Sequence, residues 1–235
     1  MCAEVIKTYV KGLDEQINAG IPQGSIVLIC GTPGSLKTTF CYNILLNHAI
    51  QTKEKGLYIS LEQHRDSILS QMKRMGFDCG DVTKDIVTIV DLANLRKLLV
   101  QDKAPTEVDW LKILTSQIKF FHNEGYRVIA IDSLDALYVL SAMENVRSKL
   151  FFFFEGFREL GISLLFVSEM EPGTRAFGKH GVEGFMCDGI IHLEIERIGK
   201  TVGRFISVVK MRGASHPTDY FPMIVDKGEF RIVQR

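Results

Sequence analysis

The chain has 235 residues, 46% of them hydrophobic, with 28 Lys plus Arg against 28 Asp plus Glu. This length and apolar content suit one α/β domain over residues 1–235 with a sizeable core. The balanced charge excludes a global field drawing the protein to nucleic acid or an anionic membrane, and leaves only local patches.

The elements follow in chain order. Lys11–Gly24, with Gly12-Leu13-Asp14, Gly20 and Pro22, reads as a lead-in with turns. Ser25–Cys30 predicts a buried strand, Lys37–Thr52 a helix, and Gly56–Leu61 a second strand. Asp66–Met75 is helical and stops at Gly76, and Asp85–Val90 is β-rich. Lys103–Thr106, with Pro105, is a loop. Val108–Asn123 has helical spacing, Arg127–Ile131 is a strand closed by Asp132, Val146–Leu160 is a helix and Ile162–Val167 a strand. Alternating strands and helices predict a mostly parallel, twisted sheet with helices on both faces. Glu171–Phe185 is rich in glycine and charge and reads as a mobile loop. Gly189–Glu196, Arg204–Met211 and Phe221–Val225, with Phe230–Val233 after the turn Asp226-Lys227-Gly228, predict C-terminal antiparallel strands on one sheet edge.

Other classes drop out. No stretch approaches the ~18 apolar residues of a membrane span, and the N-terminus lacks a signal-peptide pattern. Cys2, Cys30, Cys41, Cys79 and Cys187 are scattered without a C-x-x-C pair. That spacing fits neither a zinc site nor a disulfide framework; it predicts small buried residues and a reducing, cytoplasmic setting. Leu150-Phe151-Phe152-Phe153-Phe154 lies in a helical pattern. With Phe157 it reads first as a helix packing on the sheet; four consecutive phenylalanines cannot all face one side, which leaves one or two of them for a subunit interface.

Between the first strand and the first helix lies Gly31-Thr32-Pro33-Gly34-Ser35-Leu36-Lys37-Thr38-Thr39. It meets the phosphate-loop pattern G-x-x-x-x-G-K-[ST] except that Leu36 replaces the second glycine. Such a loop forms a nest of inward N–H groups, backed by a helix N-terminus, and takes a nucleoside triphosphate with Mg²⁺. Lys37 would reach the β- and γ-phosphates, and the Thr38 hydroxyl would ligate Mg²⁺. If position 36 requires positive φ, leucine costs about 1–2 kcal/mol there. If its backbone is helical, only the side chain's bulk matters.

Val128-Ile129-Ala130-Ile131-Asp132 looks like a Walker B strand, with Asp132 holding Mg²⁺ through Thr38 or water. Glu62 follows the strand Leu57–Leu61. If that strand neighbours the loop strand, Glu62 would face the γ-phosphate and orient or deprotonate a water; otherwise it reads as a solvated capping carboxylate.

These residues resemble the KaiC-like branch of RecA-type P-loop ATPases, from about Gly12 to Val233. The matching segments include Gly20-Ile21-Pro22-Gln23-Gly24, the phosphate loop, Leu57-Tyr58-Ile59-Ser60-Leu61-Glu62 and Ile131-Asp132-Ser133-Leu134. They continue through Gly181-Val182-Glu183-Gly184-Phe185, Asp188-Gly189-Ile190-Ile191 and Lys210-Met211-Arg212-Gly213-Ala214-Ser215-His216. The resemblance implies a RecA-like P-loop NTPase fold and a homo-oligomeric, usually hexameric, ring with ATP between subunits. It implies that Glu62 is the catalytic carboxylate, that Lys210 and Arg212 are fingers reaching the next subunit's γ-phosphate, and that His216 lies near the same nucleotide. Without it, Lys210 and Arg212 are ordinary strand residues and His216 a turn histidine.

Two departures stand out: Leu36, and Gln63 where this family usually has a second glutamate. Glutamine cannot take a proton, though it can orient water. Three functions compete: a slow MgATPase acting as a ring-forming switch toward a downstream protein partner, a nucleotide-dependent scaffold with little hydrolysis, and a DNA-binding recombinase-like protein. The last rests on Arg175, Lys179 and His180, and is disfavoured by the neutral chain and by Glu169, Glu171 and Glu183 nearby.

Overall fold

The computed structural model describes residues 4–17, 20–77, 86–92 and 108–233. The expected loop Lys103–Thr106, together with Cys2, Cys79 and Asp85, lies outside them.

The described strands are β1 (Val5–Ile6), β2 (Val10–Lys11), β3 (Ile21–Pro22), β4 (Ile26–Gly31), β5 (Gly56–Ser60), β6 (Val87–Asp91), β7 (Val128–Asp132), β8 (Ser163–Glu169), β9 (Gly189–Ile198), β10 (Thr201–Met211), β11 (Phe221–Asp226) and β12 (Glu229–Ile232). The helices are α1 (Lys37–Thr52), α2 (Arg65–Arg74), α3 (Trp110–Asn123), α4 (Leu134–Leu140), α5 (Val146–Arg158) and α6 (Glu183–Met186).

The main sheet has the order β2-β12-β11-β10-β9-β4-β8-β7-β5-β6. From β9 to β6 every neighbouring pair is parallel. The antiparallel pairs run outward from β9 through β12. The expected C-terminal antiparallel strands are present, and the first of them, β9, joins them to the parallel part of the sheet: it is antiparallel to β10 but parallel to β4, with Val27 opposite Gly189 and Gly31 opposite Leu193. The long segment between β8 and β9 lets the chain return to the same sheet end before pairing.

Parallel strands covered on both faces read as continuous apolar runs. All of β4 and β7 is buried. Val27, Ile29, Val128 and Ala130 face a core with α1 and α2, including Phe40, Leu45, Ile68 and Met72. Ile26, Leu28, Ile129 and Ile131 face a second core with α3, α4 and α5, including Leu114, Leu137, Phe154 and Phe157. The phenylalanine run divides as helical geometry requires: Phe153 and Phe154 are buried, Phe151 and Phe152 exposed. Cys30, Cys41 and Cys187 are free and buried, and burial raises the thiol pKa of all three, Cys187 to about 12.

Two segments differ from expectation. Leu134–Leu140 forms α4, too short for a helical repeat to stand out; Ser133 caps it by accepting from Ala136 N at 3.2 Å. The stretch expected to be a loop through Phe185 contains the start of α6. There the fully buried Glu183 accepts from Tyr138 Oη at 2.9 Å and from His180 N at 3.0 Å. A buried carboxylate needs such donors, and they fasten this segment to α4.

Candidate functional site: a phosphate loop facing two carboxylates

Strand β4 ends at Gly31, where the backbone passes close to β9. A Cβ there would lie 2.0 Å from the Leu193 carbonyl oxygen, so only glycine fits. Thr32, Pro33, Gly34 and Ser35 form the turn, with Ser35 N donating to Thr32 O at 3.2 Å. Leu36 then takes φ 74° and ψ 26°, the left-handed conformation, and stands as the N-cap of α1 without a side-chain cap. Position 36 therefore does require positive φ, and leucine carries the cost of about 1–2 kcal/mol. Its partly buried side chain packs against the core on the α1 face, which offsets part of that cost.

Helix α1 closes its first internal bond from Phe40 N to Leu36 O at 2.8 Å. The N–H groups of the first turn have no carbonyl behind them in the helix. They suit an anion at the helix's positive end. Ser35 Oγ, buried against the loop, has no hydrogen-bond partner among the described residues. Lys37 is 8% exposed, and its Nζ donates to Gly31 O at 2.9 Å and Thr32 O at 3.1 Å. Burial lowers its pKa, and Glu169, Asp132 and Asp135 oppose that shift.

Side-chain alternation places the next partners. Asp132 shares the parity of Val128 and Ala130, and so faces α1. Tyr58 lies opposite Ala130 on β5 and faces the same way. Thr38 Oγ1 donates to Asp132 Oδ2 at 2.7 Å, and Tyr58 Oη donates to the same oxygen at 2.5 Å. Burial, then the Asp132 charge, raises the Tyr58 pKa far enough to keep the phenol a donor. The hydroxyl and carboxylate supply hard oxygen ligands suited to Mg²⁺. Among the described residues no cluster of three His, Cys, Asp or Glu forms a metal cage. An ion bound by that hydroxyl and carboxylate would draw one or two protein oxygens and take phosphate and water for the rest of its shell.

Strand β5 pairs with β7 and β6, not with the loop strand β4. The adjacency on which the Glu62 assignment depended is therefore absent, yet Glu62 reaches the cleft. Leu61 N donates to Asp132 O at 2.7 Å, continuing the β5–β7 pairing and bringing Glu62 to the end of β7. Ser133 Oγ then donates to Glu62 Oε1 at 3.0 Å. Glu62, Asp132 and Lys37 line one cleft with Gln63, Gln71 and Glu169. Burial raises the Glu62 pKa; the Ser133 bond opposes the rise, and the charges of Asp132, Glu169 and Asp135 add to it.

The structure places Lys210 and Arg212 elsewhere. In β10, Met211 lies opposite Gly189, which lies opposite Val27 at the start of β4. The subunit's own phosphate loop begins at the other end of that strand, about 13 Å away at ~3.3 Å per residue. Lys210 Nζ donates to Gly184 O at 2.9 Å and Cys187 O at 2.6 Å. Arg212 Nη1 donates to Asp188 Oδ1 at 3.0 Å. Burial and the neighbouring Arg212 lower the Lys210 pKa. His216 lies in the connection after β10, its Nδ1 3.0 Å from the Pro217 carbonyl oxygen. The DNA candidates Arg175, Lys179 and His180 are all exposed, and the His180 ring also packs edge-on against Tyr138 with ring centroids 4.7 Å apart.

Sequence reasoning did not assign roles to Tyr58, Ser133 or Glu169. The first two act through contacts across the sheet that local spacing does not encode. Glu169 had a weak signal, as a carboxylate closing an apolar strand in the manner of Asp132.

The family described as "ATPase: KaiC" matches residues 6–235. A UPF0273 protein of Thermotoga maritima is 33% identical over 234 residues, covering 95% of this chain and 93% of that protein. A UPF0273 protein of Methanocaldococcus jannaschii is 31% identical over 225 residues, covering 92% and 91%. The circadian clock protein KaiC2 of Synechocystis is 26% identical over 230 residues, which are 96% of this chain but 39% of that protein. Among solved structures, a KaiC-like protein of Pyrococcus horikoshii superposes with a TM-score of 0.81 at 22% identity, over 99% of this chain and all of that one. That likeness is one of fold.

Proposed function

Because the chain belongs to the KaiC family of ATPases, we propose that it is a ring-forming MgATPase whose hydrolysis site is completed by a second copy of itself. Membership in the family brings ATP binding on a RecA-type fold; slow turnover, the ring and a switching role toward a protein partner are our reading. The observation that carries it is the opposed placement of two half-sites. The phosphate loop, Asp132 and Glu62 gather at one end of the parallel strands, and Lys210 and Arg212 stand at the other.

Lys37 and the first-turn N–H groups of α1 would hold the β- and γ-phosphates. Thr38 and Asp132 would hold Mg²⁺, which neutralises charge on the transferring phosphoryl group when bound. Glu62 accepts a proton from, or orients, the attacking water; its raised pKa suits a base. Phosphoryl transfer also needs positive charge on the equatorial oxygens, and a finger supplied in trans makes hydrolysis depend on assembly. Lys210, Arg212 and His216 of an adjacent copy would supply that side.

The test is phosphate release from MgATP, with assembly followed by light scattering. Turnover should disappear in Lys37→Ala and in Arg212→Ala, and return in part when the two variants are mixed. Each mixture contains interfaces with an intact loop on one side and an intact finger on the other. Co-assembly without any recovery overturns the trans arrangement. A second reading, a nucleotide-gated scaffold, is favoured by the strained Leu36 and by Gln63; MgATP binding by the assembled wild type without phosphate release would establish it.

A further inference from the structure

Asp188 sits at the base of β9, between two arginines and the root of the loop strand. Its backbone N–H donates to Ile26 O at 2.7 Å, and its carbonyl accepts from Arg212 N at 2.9 Å. Its carboxylate accepts from Ile26 N at 3.1 Å through Oδ2 and from Arg212 Nη1 at 3.0 Å through Oδ1. Arg158 of α5 closes the far side, with Nη2 at 3.3 and 3.4 Å from the two oxygens. Arg158 is itself fixed by Glu155 and, at 2.6 Å, by the Met186 carbonyl. Asp188 is therefore a post, anchored by backbone to the first residue of β4 and braced by one arginine, while the other arginine leans on it.

The two arginines differ in exposure. The Arg158 side chain is 27% exposed, Asp188 16% and Arg212 57%. A guanidinium that offers one nitrogen to a fixed carboxylate keeps its remaining donors for a second anion. Long arginine side chains otherwise sample many rotamers, and ordering one in advance removes that entropy from the reactive step.

We propose that Asp188 is the positioning residue of the Arg212 finger, holding its guanidinium presented toward the phosphates of a neighbouring subunit's nucleotide. This rests on the reading in which Arg212 acts in trans. Asp188 touches no nucleotide in this arrangement; its effect passes through Arg212.

Asp188→Asn separates the roles. The amide oxygen retains the bond from Ile26 N, so the root of β4 stays fastened, while the charge holding Arg212 is lost. Turnover should fall about 10- to 100-fold. Binding of a fluorescent ATP analogue at the variant's own loop should stay within about twofold of wild type. Mixing Asp188→Asn with Lys37→Ala should restore turnover, since the Lys37→Ala copy supplies an intact finger to the Asp188→Asn copy's intact loop. A wild-type rate in Asp188→Asn alone overturns the proposal. So does a loss that mixing fails to restore when the parallel mixture of Arg212→Ala with Lys37→Ala recovers, because Asp188 would then serve its own loop. If that parallel mixture co-assembles and stays silent, the trans reading itself fails and this inference falls with it. Should Asp188→Asn not fold, Asp188→Glu, which keeps the charge but displaces the guanidinium by a methylene, is judged by the same mixing criteria.

Discussion

The phenol of Tyr58 and the carboxylate of Asp132 meet at 2.5 Å across adjacent strands, on the same oxygen that accepts from Thr38. Asp132 thus enters the cleft already oriented by two donors. Tyr58 is fully buried beneath it and can turn only with the core around it.

Tyr58→Phe removes one donor without opening a large cavity. Stability should fall by about 1.5–3 kcal/mol, the range for a hydrogen bond to a charged group. The Mg²⁺ concentration needed for half-maximal ATP binding should rise, because Asp132 loses a constraint on its rotation. Magnesium titrations and thermal unfolding measure the two effects. An unchanged magnesium requirement would show that Thr38 alone orients the carboxylate.

Leu36 gives a backbone prediction. In Leu36→Gly the left-handed conformation costs nothing, but core contact is lost and the unfolded chain gains freedom, so stability should move by no more than about 1 kcal/mol. Leu36→Val should lose about 1–2 kcal/mol, since a branched β-carbon is poorly tolerated at positive φ. Thermal midpoints with Val equal to or above Gly would contradict the left-handed loop.

Gly31 tests the crowding between β4 and β9. Gly31→Ala places a methyl against the Leu193 carbonyl, and the strands must separate to admit it. A loss of about 3 kcal/mol, together with loss of nucleotide binding, is expected by unfolding and binding titration. A folded, binding-competent Gly31→Ala protein would mean the strands have room.

The pH dependence follows from Glu62. As the proposed base Glu62 must be ionised, and its pKa lies above the ordinary carboxylate value because of burial. Turnover should therefore rise with pH as the group loses its proton, and fall as acid restores it. Ser133→Ala deletes the hydrogen bond that favours the charged form. The acid limb of kcat should then shift to higher pH. Profiles of wild type and Ser133→Ala that coincide would remove Glu62 as the titrating base.

Local physics made much of this protein legible in one dimension. Apolar runs closed by glycine or aspartate marked β4 and β7, and the residues from Gly31 to Thr39 carried the phosphate-loop pattern at all but Leu36. Lys37–Thr52 is helical as its pattern predicts. These features depend on neighbours a few residues apart, and so they survive in the sequence. The short α4 and α6 did not, since neither is long enough to show a period.

Everything that relates distant segments was settled by tertiary structure. The order of strands put β8 and β7 between the loop strand and β5, so Glu62 arrives through the end of β7 rather than from an adjacent strand. Register, which alternates faces with every residue, decided that Tyr58, Asp132 and Thr38 share one side. The pairing of β9 with β4 set Lys210 and Arg212 at the far end from their own phosphate loop, with Asp188 between them and Ile26. The sequence by itself marked the phosphate loop and its class of ligand, a nucleoside triphosphate, because a phosphate nest is built from contiguous backbone. Only the packed sheet decided which hydroxyl orients which carboxylate, because these hydrogen bonds join residues that the chain keeps dozens of positions apart.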